Sequence, residues 1–191
     1  MPVWAIILIV VGVIILIVAI IAGMYNALVK LNTRVDEAWS DITVMCQRRA
    51  DLIPNLVETV KGYTKHESEA IKQVSDARAK MMGARSVAST AEADRSMLGA
   101  LSRIMAISES YPELKADKNF QQLSSELTDC EDKLQASRRF YNAGVKELNT
   151  KISLFPYNIL FHSFKKRDFY DVDDEQEKER IKKVPEVKFD K

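Results

Sequence analysis

One feature limits this chain more than any other: from Val3 to Tyr25 there is no charged side chain. The stretch is Ile, Val, Leu, Ala and Gly almost throughout, and its 23 residues would span about 34 Å as a helix, slightly more than a hydrocarbon core of about 30 Å. Trp4 and Tyr25 bracket it, as interfacial aromatics do. A cleaved signal peptide fits poorly. No Lys or Arg precedes the run, it is too long for a signal h-region, and no A-x-A site closes it. A retained single-pass anchor is expected. Lys30 and Arg34 follow it, which by the positive-inside tendency puts the C-terminal part in the cytoplasm and the N-terminus outside.

Within the run, Ala5, Gly12 and Ala19 recur every seven residues, and Asn26 continues the row. Ala19 and Gly23 also form a small-xxx-small pair. Small residues let helices approach closely in lipid, so this face is a candidate for self-association.

All of the 28 basic and 27 acidic residues follow the anchor, and they nearly cancel. A nucleic-acid footprint needs a basic excess, and none exists. Six Gly and five Pro argue against a β-sandwich or a Gly-loop nucleotide fold, and two Cys cannot make a disulfide framework.

Beyond the anchor, Leu28, Leu31, Val35, Ala38, Ile42, Met45, Arg49, Leu52 and Leu56 alternate spacings of three and four, a helix with one buried seam. Trp39, Cys46, Ile53 and Val60 widen the stripe. Nothing interrupts the chain between anchor and seam, so one helix is expected to run straight out of the membrane, with a kink at Pro54. Glu67–Met82 reads as a second helix. Gly83–Thr90 reads as a loop, and Ser89-x-x-Glu92 has the spacing of a capping box. The next helix carries Met97, Leu98, Leu101, Ile104, Met105 and Ile107 and ends near Ser110, before Pro112. Asp117 is placed to cap a last long helix reaching Phe155, with a seam at Phe120, Leu123, Leu127, Cys130, Leu134, Ser137, Tyr141, Val145, Leu148, Ile152 and Phe155. The two consecutive steps of four around Tyr141 amount to a stutter.

The expected fold is all-α: an N-terminal transmembrane helix continuing into an elongated antiparallel bundle of three to four long helices. Residues 1–28 form the anchor, 29–155 the cytoplasmic bundle, and 156–191 an amphipathic and charged tail, partly disordered. In that tail Phe161 and Phe164 stand beside Lys165, Lys166 and Arg167: either the segment lies on the bundle, or this mixture, suited to lipid headgroups, makes these five candidate lipid-surface contacts. Trp4, Tyr25, Lys30 and Arg34 are the expected membrane-interface residues.

Several segments together resemble the LemA family of bacterial membrane proteins: YNALVKLNTRVDEAWSDI from Tyr25, RRADLIPNLVETVKGYTKHE from Arg48, SRIMAISESYPELKADKNFQQLSSEL from Ser102, SRRFYNAGVKELNTKISLFPYNI from Ser137 and RDFYDVDDEQ from Arg167. The resemblance covers nearly the whole chain. It implies an N-terminal anchor and a cytoplasmic bundle of long helices, with no settled biochemical activity. One branch of the family looks like a magnetosome-membrane protein linked to membrane invagination. A recurrent gene neighbourhood with membrane zinc metalloproteases hints at envelope maintenance. The family's small, Gly-rich segment after Pro156 is replaced here by YNILFHSFKKR, and Cys46 and Cys130 stand where other residues are usual.

Catalytic chemistry finds little support. His66 and His162 are the only histidines, and Ala70 stands where H-E-x-x-H would need its second. Cys46 and Cys130 fall on apolar rows, as buried thiols do. Neither a Gly-rich phosphate loop nor G-x-S-x-G occurs. No catalytic residue, cofactor or metal is therefore expected. Arg49 on the seam must be paired or lie at the bundle's edge: a buried ion pair with an acidic residue of the last helix is expected, with contact to a partner or ligand as the alternative. Arg138, Arg139, Phe140 and Tyr141 read as packing with a solvated face.

The functional expectation is a membrane-anchored scaffold, not an enzyme, that self-associates as a homo-oligomer and organises or remodels the bacterial membrane. Lipid and a membrane-protein partner are the expected contacts, and nucleic acid is not. The alternative is an adaptor or regulator of a membrane machine such as a metalloprotease. The row continuing outward through Thr33, Ser40 and Gln47 is short or polar, so copies could pack there without disturbing the bundle core.

Overall fold

The computed structural model describes residues 2–64 and 67–170. Every regular element among them is helical: α1 (Val3–Tyr63), α2 (Ser68–Gly83), α3 (Val87–Ser110), α4 (Pro112–Ala116), α5 (Lys118–Ser153) and α6 (Tyr157–Leu160). They fall into two compact units. One comprises the chain up to Leu52 with Gln121–Phe169; the other comprises Ile53–Phe120 with Tyr170.

The uncharged run and the first seam form one unbroken helix of 61 residues, α1, as expected from a sequence with no breaker between them. Pro54 lies inside α1 without ending it. Burial along α1 changes abruptly. The side chains from Val3 to Tyr25 stand largely open, whereas Leu28 is fully covered.

In the first unit α1 pairs with α5 and the two run antiparallel. Arg49 meets Glu131, Trp39 meets Tyr141, and Val35 meets Gly144, so positions rise along α5 as they fall along α1. The contact at Gly144 is close: a Cβ there would lie 3.2 Å from Val35 Cγ2. Glycine is what lets the two helices approach at this point. The buried row of α1 begins at Leu28, Leu31, Val35, Ala38 and Ile42 and then moves to Cys46, Arg49 and Ala50. That shift is the drift of a straight 3.6-residue helix against a strict heptad. On α5 the row is Leu123, Leu127, Cys130, Leu134, Tyr141, Val145 and Leu148.

In the second unit α2 and α3 form a hairpin. Ala70, Val74, Ala77 and Met81 of α2 are buried, as are Met97, Ala100, Leu101 and Ile104 of α3. Ile53, Leu56 and Val60 of α1 and Leu114 of α4 complete its core.

Two local expectations need correction. The loop between α2 and α3 is only residues 84–86, not Gly83–Thr90, because the capping box sits one turn earlier than Ser89-x-x-Glu92. Ser86 is the N-cap: its hydroxyl accepts from Ser89 N at 3.1 Å, and Ser89 Oγ accepts in return from Ser86 N at 3.0 Å. Serine at N3 takes the reciprocal role usually given to Glu or Gln. The seam of α5 stops before Phe155, which is 78% exposed, because the helix ends at Ser153 and the chain turns away. The connection after Pro112 is itself a short helix, α4, with proline in its first turn, where a missing N–H costs no helical bond. Asp117 does cap α5, its Oδ1 accepting from Phe120 N at 2.9 Å.

Candidate functional site

The site is the corner of the first unit where α1 passes from its open apolar run into the packed arm. The Tyr25 ring, half exposed, lies 5.9 Å from Phe161 and 5.8 Å from Phe164, centroid to centroid. Phe161 also lies 5.9 Å from Tyr157, and Lys151 Nζ stands 5.6 Å over the Tyr157 ring. Aromatic contacts therefore tie the segment after α5 to the end of the apolar run.

A polar clamp follows about two to three turns further along α1. Arg167 Nη2 donates to Asp36 Oδ1 at 2.7 Å and to Asn32 Oδ1 at 3.1 Å. The backbone of Arg167 is held from α5: its N–H donates to Asn149 Oδ1 at 2.9 Å, and Asn149 Nδ2 donates to its carbonyl at 2.8 Å. Tyr141 then donates to the Asp168 carbonyl at 2.9 Å. Burial, the largest cause, pushes the Tyr141 phenol above its usual range, so it stays a donor at neutral pH. Within the second unit, Tyr170 is buried and donates to the buried Asp94 at 2.8 Å.

Deeper in the first unit Arg49, 1% exposed, pairs with Glu131, whose other oxygen lies 3.5 Å from Arg138. Of the readings open to a charge on the seam, this is the buried ion pair with an acidic residue of α5. Cys46 and Cys130 are buried and not joined in a disulfide. Burial raises the Cys130 thiol above its usual value, against a smaller opposing pull from Arg48 and Arg49.

The sequence-derived residues distribute as follows. Gly12, Ala19, Gly23 and Asn26 are exposed and Ala5 is partly covered; a Cβ built at Gly12 or Gly23 would meet nothing within 4 Å. Trp4, Tyr25, Lys30 and Arg34 are exposed, as are Thr33, Ser40 and Gln47. Phe161 is buried against Tyr25 and Phe164 is half-buried, while Lys165, Lys166 and Arg167 remain exposed. His66 and the tail from residue 171 onward lie outside the described residues. Sequence reasoning missed the partners of Arg167 and the open cluster Leu154, Phe155, Ile159 and Leu160. An Asn and an Asp four apart on α1 was the available signal for the first. The second had none, since apolar runs do not announce their exposure. Among the described residues no group of three His, Cys, Asp or Glu could hold a metal.

The most apolar window of α1 has a mean hydropathy of 3.6, and none of it is buried. A core helix of a soluble protein would be mostly covered. Exposed Ile, Leu and Val cost about 1.5–3 kcal/mol each relative to burial, so a run of them requires an apolar environment. The class is thus, among the described residues, an all-helical protein with one N-terminal membrane-span candidate leading directly into a packed helical arm.

The chain belongs to the LemA family, whose model matches residues 38–189. Magnetosome protein MamQ 2 of Paramagnetospirillum magneticum is 25% identical over 197 residues, covering 88% of this chain and 72% of that protein. Magnetosome protein MamQ of Magnetospirillum gryphiswaldense is 26% identical, covering 76% of this chain and 64% of its own length. Protein LemA of Metamycoplasma hominis is 28% identical, covering 78% and 68%. None of these relatives carries the name of an enzyme.

Proposed function

We propose that this protein is a membrane-anchored scaffold that self-associates through its span and organises the membrane around it. The supporting observation is the continuity of α1 from the open apolar run into the packed arm. Lateral contact between anchors would be transmitted to the folded domain without an intervening flexible linker. The open face at Gly12 and Gly23 has room for a neighbouring helix, and Thr33, Ser40 and Gln47 continue outward as exposed small or polar residues. Similarity to proteins named for the magnetosome supports a membrane-organising role. Lys30 and Arg34 favour a cytoplasmic domain.

The test is the mass of the full chain in nanodiscs, with lipid subtracted. A discrete assembly that becomes smaller in Gly12→Ile and in Thr33→Trp, at unchanged helicity, supports the scaffold. A monomer at the chain mass of 21.7 kDa overturns self-association and turns the search to an adaptor bound to another membrane protein.

A further inference from the structure

The corner between α5 and α6 carries Leu154, Phe155, Ile159 and Leu160 at 56%, 78%, 59% and 46% exposure. Nothing in the first unit covers them, although α5 buries its apolar row along the rest of its length. Their position gives the cluster a meaning. Phe161, the next residue after Leu160, is in tilted aromatic contact with Tyr25, the residue that closes the apolar run. Leu160 and Ile159 therefore lie within about 8 Å of Phe161 along the backbone. Phe155 is joined to them by a single helical turn, with Ile159 N and Leu160 N both donating to the Pro156 carbonyl at 3.1 Å. If Tyr25 sits at the boundary of the bilayer, these four side chains sit there too.

We infer that this corner is a second membrane contact, a foot whose Leu154, Phe155, Ile159 and Leu160 enter the lipid surface beside the anchor. The inference rests on the reading of Val3–Tyr25 as a span. The occupant is lipid, not another protein, because the cluster continues the surface of the anchor through Tyr25. The cations near it also match anionic headgroups: Lys165 and Lys166 are exposed, and Lys151 is held over the Tyr157 ring. Apolar side chains of such interfacial elements settle about 5–10 Å into the boundary between headgroups and acyl chains. Two points of contact, the span and the foot, would fix the tilt and rotation of α1 relative to the membrane plane, where a span alone leaves rotation about its axis free. The residues assigned here differ from those the tail's composition points to. Phe161 serves as the internal link to Tyr25, and the lipid-facing groups are its neighbours.

The full chain in vesicles of phosphatidylethanolamine and phosphatidylglycerol, with bromines on the upper acyl-chain carbons, provides the test. Tryptophan is placed at the foot as Phe155→Trp or Ile159→Trp in a Trp4→Phe, Trp39→Phe background, with Phe140→Trp as the control, so that the introduced side chain is the one tryptophan of the chain. Phe140 is exposed on α5 beside Tyr141, which stacks on Trp39, about 21 Å along α1 from Tyr25. The expected result is fluorescence quenching several-fold greater at positions 155 and 159 than at 140. It should fall to the control level when Leu160→Asp is added to Phe155→Asp alongside the reporter at 159. Trp4 of the Trp39→Phe protein reports on the anchor separately. Quenched Trp4 with an unquenched foot overturns the inference and leaves the anchor standing. Unquenched Trp4 overturns both. A foot shielded from bromine at high protein-to-lipid ratio and exposed to it on dilution assigns the corner to a second copy and also overturns the inference.

Discussion

Arg167 reaches Asp36 across 131 positions of sequence, Nη2 to Oδ1 at 2.7 Å, and so closes the segment after α5 onto the arm of α1. The pair is exposed at 41% and 52%, which limits its own worth to about 0.2–1 kcal/mol. Its importance is positional. It holds the Arg167 side chain on α1 while Asn149 holds the Arg167 backbone on α5, and Phe161 and Phe164 sit a few residues away on Tyr25.

Removing the clamp should loosen that segment without unfolding the bundle. Asn149→Ala deletes both hydrogen bonds to the Arg167 backbone, at a net cost of about 1 kcal/mol in this exposed setting. Hydrogen exchange of the amides from residue 162 to 169 should rise well above wild type, while those of α5 around Leu134 stay protected. Equal acceleration in both places would show that the clamp is part of the cooperative core.

The buried pair of Arg49 and Glu131 should behave asymmetrically. Glu131→Leu strands a charge that is 1% exposed, and breaking such a pair costs about 3–5 kcal/mol, toward the lower end here because Glu131 is 20% exposed. Arg49→Met combined with Glu131→Leu should recover most of the loss. Thermal melts of the full chain in mild detergent, followed by circular dichroism, measure both. A double variant as unstable as the single one would mean that Arg49 is held chiefly by other partners.

Neither thiol should react while the protein is folded. Cys46 and Cys130 are 3% and 1% exposed, and burial holds the Cys130 proton on. Maleimide at neutral pH should label neither cysteine in detergent and both after denaturation. Rapid native labelling at Cys130 would show that α5 opens locally near Glu131.

The Tyr63 and Asp117 contact carries a pH dependence with two edges. Tyr63 OH donates to Asp117 Oδ2 at 2.9 Å. The Phe120 amide first, and then Tyr63, hold the Asp117 carboxyl below its ordinary 3.8. Its contribution is therefore complete above 3.8 and is lost as pH falls through the lowered value. Tyr63 is raised above 10.0, chiefly by the same bond, so its contribution holds below 10.0 and is lost as pH rises through the raised value. Asp117→Asn should flatten the acid edge of the melting temperature. An unchanged acid edge would place the acid sensitivity in other carboxylates.

Periodicity and composition carried most of the architecture. The uncharged run, the alternating three-and-four spacing from Leu28 onward, and the cap at Asp117 each express a local rule, so α1, α2, α3 and α5 were legible within a few residues. Arg49 was legible as a residue needing a partner, since a charge on a buried seam has few alternatives. The capping box was misplaced because serine at position 89 fits both ends of the motif, and only the backbone geometry at Ser86 distinguishes them.

The sequence by itself determined that this chain is helical, that it has a single apolar stretch long enough to cross a bilayer, and that a charged helical domain follows without a break. Those properties depend on neighbours within a turn or two of helix, where side-chain spacing dictates the outcome. Only the tertiary structure decided that Phe161 is buried on Tyr25, that Arg167 closes onto Asp36, and that Leu154, Phe155, Ile159 and Leu160 are left open beside them. The physical reason is distance along the chain. Which apolar residue is covered depends on what another helix, more than a hundred residues away, brings to the same corner.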